Sequence, residues 1–374
     1  MKTYLLQRTA SSLVAAIAVA ALTACGGGGD SSADSVAAIS PGPMPGVVTT
    51  TPAAASKAWE TARLIDADNT TQHESSPRIA MDASGNAMAA WSKYDGTQQY
   101  IVANRYTPGS GWGTAARIKT NDKAVVGGMK IAFDASGNAM VVWSQSDNAS
   151  PSNIWANRYT PGSGWGTAAL IEINEGDADH PKIALDASGN ALVVWGQSEY
   201  SRFSRTGRSN IWTNRYTPGN GWATAKLIDA NNARLTVGAE IAMNASGNAM
   251  AVWFQSNGRQ SNIWANRYTP GIGWGTPELI ETDNVGDAMH PKIAMDADGN
   301  TLAVWRRSVD GRFSIRTNRY IPGRGWSKAA ALNEYGNTGV DDHPQIAMNA
   351  SGNAVAVWQQ SDGTRQKVWV ASYR

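Results

Sequence analysis

The sequence predicts an all-β protein, a six-bladed β-propeller of four-stranded antiparallel blades, and three observations lead there. A unit of roughly 52 residues recurs six times between Trp59 and the last residue. Each copy holds four short strand-like segments separated by turn signals. The chain enters the repeat in mid-unit and leaves it in mid-unit. Repeats of this length belong to solenoids and propellers, in which one unit cannot bury its faces without neighbours.

The unit is clearest over residues 181–228, and its segments can be lettered A to D. Segment A reads P-K-I-A-L-D, and the D-A-S-G-N turn after it places a glycine where a tight hairpin needs positive φ. The Asp or Asn opening that turn falls at Asp82, Asp134, Asp186, Asn244, Asp296 and Asn349, with spacings of 52, 52, 58, 52 and 53. Segment B, A-L-V-V-W, ends in Trp91, Trp143, Trp195, Trp253, Trp305 and Trp358. Segment C, N-I-W-T-N-R-Y, leads into T-P-G-N-G-W, where Pro and then Gly suit the two central positions of a type II turn. Segment D begins with Trp59, Trp112, Trp165, Trp222, Trp274 and Trp326. With only four Phe in the chain, Trp is the main bulky packing residue. Each buried ring removes ~150–250 Å² from water, a gross gain of roughly 4–6 kcal/mol.

The phasing selects a closed ring. Residues 59–65 form a D segment without A to C, and the carboxyl end completes A to C without a D. Equal numbers of all four segments require the first strand to close the last blade, a Velcro closure.

Upstream of the repeat the residues imply an address. Lys2 and Arg8, then an apolar run over 13–22, read as a secretory signal at 1–24. The run is too short to span a bilayer. Leu22-Thr23-Ala24-Cys25 resembles the lipobox of bacterial lipoproteins, which implies acylation of Cys25 and anchoring to a membrane. Gly26 follows the cysteine, and the same resemblance implies outer-membrane delivery, since the aspartate that signals inner-membrane retention is absent. Residues 25–57 form a Gly/Ser/Pro/Ala-rich linker, expected to be disordered, and 58–374 the propeller domain. One cysteine excludes internal disulfides. Removing Lys2 and Arg8 from 32 basic residues leaves 30, against 30 acidic ones, so no global field favours nucleic acid.

The order P-x-I-A-x-D-x-x-G-N-A-x-V-V-W, N-I-W, Gly-rich turn and W-x-x-x-x-L-I resembles the BNR or Asp-box repeats of sialidase-like propellers, over about 315 residues. The Asp boxes are degenerate: T-P-G-S-G-W at 160–165 keeps Gly and Trp but has Pro where the bracing Asp would stand. A sialidase would bring three arginines around a carboxylate, a Tyr–Glu nucleophile pair and an Asp acid/base. Arg78 matches the first arginine, Lys182 and Lys292 fill its slot in other blades, and the remaining members have no matching motif.

Because strand direction alternates, the A–B and C–D turns share one end of the propeller and the B–C and D–A loops the other. The second end varies between copies, so the working face is expected there. The insertion over 196–210 offers Tyr200, Arg202, Phe203, Arg205 and Arg208, and the fifth copy offers Arg306, Arg307, Arg312 and Phe313. Rings and guanidinium groups stack on sugars and pair with carboxylates. The D–A loops add Asp177, Asp179 and His180, then Asp287 and His290, then Asp341, Asp342 and His343, which could serve a ligand, a metal, or only the loop itself. The recurring Arg of N-R-Y, from Arg105 to Arg319, reads as a packing or ion-pair position. No P-loop, nucleophile elbow, C-x-x-C or dinucleotide fingerprint is present, and no cofactor or metal is expected. The expected function is non-catalytic binding of a glycan or protein by a membrane-anchored envelope propeller. A sialidase-like hydrolase at the channel mouth and a structural envelope scaffold are the alternatives.

Overall fold

The computed structural model describes residues 59–66, 73–118, 125–146, 151–172, 176–198, 208–229, 235–283, 285–333, 342–361 and 364–374. The signal segment, Cys25, the linker, Tyr200, Arg202, Phe203, Arg205, Asp341 and the side chain of Asp342 lie outside this description. The described chain is all β. In the first sheet, strands His73–Met81, Ala87–Tyr94 and Gln99–Thr107 form an antiparallel meander. The fourth strand is broken into Gly111–Trp112 and Ala116–Arg117, both paired to the third strand. Between the two pieces the register slips by one residue, a β-bulge. Four more sheets repeat this plan, and a sixth holds three strands, Asp342–Met348, Ala354–Ser361 and Gln366–Tyr373.

Successive sheets stack face to face, with their A strands against one another and their broken D strands outermost. The B-strand tryptophans fill the junctions: Trp143, Trp195, Trp253 and Trp305 have no exposed surface. Each D-strand Trp is half-buried and meets the C-strand Tyr of its own sheet edge to face, as in Tyr216–Trp222 with centroids 5.5 Å apart. The N-R-Y arginine reaches into the next sheet: Arg105 lies 5.1 Å over Tyr159, Arg158 5.4 Å over Tyr216, Arg267 5.0 Å over Tyr320 and Arg319 5.6 Å over Tyr373. The packing role expected for this arginine is therefore what the contacts display.

The Asn before that arginine is a second stitch. Asn214 Nδ2 donates to Ile171 O of the preceding sheet at 2.7 Å and to Ala223 O of its own D strand at 2.9 Å. Asn157, Asn266 and Asn318 donate likewise to Ile118, Ile228 and Ile280. One residue beyond those isoleucines a polar side chain is buried against the next sheet. Glu172 Oε2 accepts from Gln197 Nε2 at 3.4 Å, and at the equivalent place after Leu332 the half-buried Asn333 Nδ2 donates to Gln360 Oε1 at 2.9 Å. The other two carboxylates are poorly satisfied, since no oxygen of Asp229 or Glu281 accepts a hydrogen bond among the described residues. Burial pushes Asp229 up to about 6. It pushes Glu281 up to about 7, against the opposing pull of Arg307, whose Nε stays 3.9 Å away.

Residues 59–66 carry no strand pairing, and Trp59 is fully exposed. Their carboxyl end nevertheless occupies the place of a preceding D strand beside the first sheet. Ile65 packs with Trp91, Tyr100 and Val102, Asn104 Nδ2 donates to Ile65 O at 2.8 Å, and buried Asp66 accepts from Lys93 Nζ at 2.5 Å. The outer face of the last sheet stands open, with Val355, Val357, Val368 and Val370 exposed.

Candidate functional site

The two ends of the sheets differ in how their polar groups are engaged. At the A–B end the acidic residue of D-A-S-G-N braces its own hairpin: Asp186 Oδ1 accepts from the backbone N–H groups of Ser188 and Asn190, and Oδ2 accepts from Asn190 Nδ2 at 2.7 Å. Asp82, Asp134 and Asp296 hold Asn86, Asn138 and Asn300 in the same way. Calcium is not needed to explain Asp296, because its lone pairs already serve the turn.

At the opposite end every A strand is interrupted by a bulge. Its residue adopts positive φ: Ser76, Gly128, His180, Gly238, His290 and His343. Non-glycine residues there, with φ of 53–55° at the three histidines, are strained positions of the kind that gather at functional sites. Immediately after the bulge, pairing to the B strand resumes at Arg78, Lys130, Lys182, Glu240, Lys292 and Gln345. Six sheets thus place six side chains at the same register position of their A strands, and Arg78, Lys182, Glu240 and Lys292 are near enough to act on Lys130. Glu240 Oε1 accepts from Lys182 Nζ at 2.6 Å and from Lys292 Nζ. Burial raises the Glu240 carboxyl, but the charges and hydrogen bonds of those two lysines outweigh it and hold the group below its ordinary value. Lys130 is depressed to about 8, first by burial and then by Lys182 and Arg78.

Above this belt an open cleft of about 560 Å³ lies between the third and fourth sheets. Asp179, His180, Lys182, Gly238, Glu240 and Phe254 line it. Asp179 is engaged locally, accepting from Ser144 Oγ and the His180 N–H at 2.7 Å each, with His180 Nδ1 at 3.2 Å. Asp177 and Asp287 are loop staples, accepting from the backbone N–H of Ser152 and Ser261, each at 2.8 Å. His290 and His343 come together in a stacked pair, centroids 6.1 Å apart, while Phe254 meets His290 edge to face. Among the described residues no three His, Cys, Asp or Glu side chains converge to hold a metal.

The remaining expected site residues divide. Arg208 and Arg312 are exposed on the loop face. Arg306 lies 5.1 Å over the Phe313 ring. Arg307 is buried, and its Nε and Nη1 donate to Val285 O at 2.7 Å and Asp283 Oδ2 at 2.5 Å, so it ties down its own D–A loop rather than facing solvent. Lys130, Glu240 and Phe254 did not enter the expected set. The motif P-x-I that marks the belt in other copies reads Met129-Lys130-Ile131 and Ala239-Glu240-Ile241 in these two, and aligning the copies by their D-x-x-G-N turns finds both.

No protein-family model matches this chain, and none of the curated proteins matches it. Solved structures do resemble it at low identity. An ulvan lyase of the polysaccharide lyases, bound to a repeat of glucuronic acid and 3-sulfated rhamnose, aligns with a TM-score of 0.51 at 8% identity, over 81% of this chain and 78% of that one. The intramolecular trans-sialidase of Ruminococcus gnavus aligns at 0.46 and 9%, over 81% of this chain and 95% of that one. These are likenesses of fold.

Proposed function

We propose that this chain is a cell-envelope lipoprotein, anchored through acylated Cys25 and held off the membrane by the linker to residue 57, whose propeller binds an acidic glycan without catalysis. In this reading the propeller has six blades, and residues 59–65 pair with Gln366–Tyr373 to complete the sixth. The binding reading is carried by one observation: the open cleft over the loop face is floored by Lys182 and Glu240 and rimmed by His180 and Phe254, whereas the polar groups of the opposite end are engaged in their own turns. An apolar ring beside cations suits a sugar that bears a negative charge. Exposed Arg208 and Arg312 extend that surface, and Tyr200, Arg202, Phe203 and Arg205 belong to the same insertion. The ligand of the ulvan lyase, with its carboxylate and sulfate groups, is of the class proposed here.

The test is a glycan array probed with the full-length protein in detergent. Retention of uronate- or sulfate-bearing glycans, lost on Phe254→Ala or on combined Arg208→Ala and Arg312→Ala, is the expected result. Retention of no sugar, with a crosslinked envelope protein instead, overturns the glycan reading. Turnover of fluorogenic acidic glycosides overturns the non-catalytic one. Metabolic labelling with an alkyne fatty acid, lost in Cys25→Ser, tests the anchor. A disulfide formed between Trp59→Cys and Tyr373→Cys in that cysteine-free background tests closure.

A further inference from the structure

Four basic side chains and one acid occupy equivalent positions on the A strands of the first five sheets, near enough that the other four all act on Lys130. Glu240 is already shared by Lys182 and Lys292. Arg78 Nη1 donates only to the neighbouring Pro77 O, at 2.9 Å, and Lys130 forms no hydrogen bond or ion pair among the described residues. The sixth position, Gln345, adds no charge. Four cations against one carboxylate leave an excess of three positive charges, two of them on side chains without an acid of their own. Like charges crowded at partial burial are unfavourable unless something of opposite sign joins them. The bulges that place these side chains are costly backbone features present in all six sheets, and the structure over-determines them by pairing on both sides.

We propose that the belt of Arg78, Lys130, Lys182 and Lys292 around Glu240 is a binding site for a single oxyanion, a sulfate or carboxylate group that enters through the cleft beside His180 and Phe254 and docks on Lys130. This goes further than the glycan reading by naming which group of the ligand is held and where, and it rests on that reading only for the source of the anion. A short amine donating to an oxyanion at partial burial makes a charge-assisted hydrogen bond, the strong kind. Glu240 then acts as a spacer that holds Lys182 and Lys292 apart and oriented. The depressed Lys130 amine supplies an independent signature: an arriving anion favours its charged form, so binding takes up a proton near pH 8. The groups that set this titration are Arg78 on the preceding sheet, Lys182 on the following one, and Glu240 and Lys292 on the fourth and fifth.

Calorimetry of the full-length protein in detergent at low salt, titrated separately with sodium sulfate and with short sulfated and uronate oligosaccharides, tests the site. The expected result is saturable sulfate binding, weakened at least about tenfold by Lys130→Gln. Binding is tightened several-fold by Glu240→Gln, which removes the competing carboxylate, and proton uptake at pH 8 disappears in Lys130→Gln. Melting curves confirm that both variants are folded, and the opposite signs of their effects exclude a common loss of structure. Sulfate and uronate binding with equal affinity in the wild type and Lys130→Gln overturns the proposal, as does absence of any anion binding in folded wild type. Sulfate binding without retention of any oligosaccharide leaves the belt standing and removes the glycan reading. Oligosaccharide binding indifferent to Lys130→Gln does the reverse.

Discussion

The junction between the third and fourth sheets is made from the same repeat as the two ends of the described chain, the first sheet with residues 59–66 and the sixth sheet, yet those ends keep only part of its contacts. At the junction, Trp195 and Trp253 are wholly buried on their respective B strands, Asn266 donates to Ile228 O at 3.0 Å, and Tyr268 meets Trp274 edge to face at 5.6 Å. At the chain ends, Trp59 and Val368 are exposed, and the equivalents of Asn266 and Arg267 in the last sheet are Ala371 and Ser372. Only the first-sheet side retains its stitches, Asn104 to Ile65 and Lys93 to Asp66. Neighbouring repeats are thus held by contacts that each copy makes with the next, and in the closed ring proposed above the join between the two ends would rest on what residues 59–66 supply.

Four measurements sharpen or break that contrast. Trp195→Ala empties an interior junction and is expected to cost about 3–5 kcal/mol in denaturant unfolding. Trp358→Ala, whose sheet has an open outer face, is expected to cost less, and equal losses would abolish the distinction. The buried carboxylates come next. Their folded-state values, about 6 for Asp229 and about 7 for Glu281, lie above the ordinary 3.8 and 4.5, so between those limits the folded chain binds more protons than the unfolded one. Stability therefore rises as pH falls from about 7 toward 4 through these two groups. Asp229→Asn and Glu281→Gln should each raise stability at pH 7.5 by on the order of 1–3 kcal/mol and flatten the profile, as thermal melts across pH would display. Asn214→Ala removes two hydrogen bonds, one of them fully buried, and is expected to cost about 1–2 kcal/mol, whereas Ala371→Asn, which restores the repeat's asparagine in the last sheet, should raise the melting temperature if residues 59–65 supply that sheet's fourth strand. Smallest is Trp59→Ala, which in the closed ring proposed above would remove an edge-to-face partner of Tyr373 and cost about 1 kcal/mol. No change at all would place Trp59 outside the ring.

Much of the scaffold was legible because its parts recur at one spacing: the D-x-x-G-N hairpins, the B-strand tryptophans and the N-R-Y stitches all lie where the repeat puts them. The belt was less legible, because its members sit one per copy, about 52 residues apart, and only the bulge before each brings them to one level. Lys182 and Lys292 follow Pro and could be noticed, while Lys130 and Glu240 follow Met129 and Ala239 and could not be found by that motif. Aspartates misled in another way. Asp177 and Asp287 resemble site residues by type and neighbourhood, yet their carboxylates serve backbone N–H groups of the preceding sheet, a role that needs three-dimensional proximity and leaves no local signature. Arg307 was similarly ambiguous, since a loop arginine facing solvent and one tying down its own loop read alike until Asp283 and Val285 are placed beside it.

The interrupted outer strands carry a consequence for self-association. An unpaired sheet margin is a template on which other chains can add strands, and a wheel of blades multiplies such margins. Here each of five margins ends in two-residue pieces out of step with each other, too short and too kinked to nucleate an intermolecular ladder. Among the outer strands of the described residues, Gln366–Tyr373 is the one that runs unbroken over eight residues, an edge on which a further strand can add.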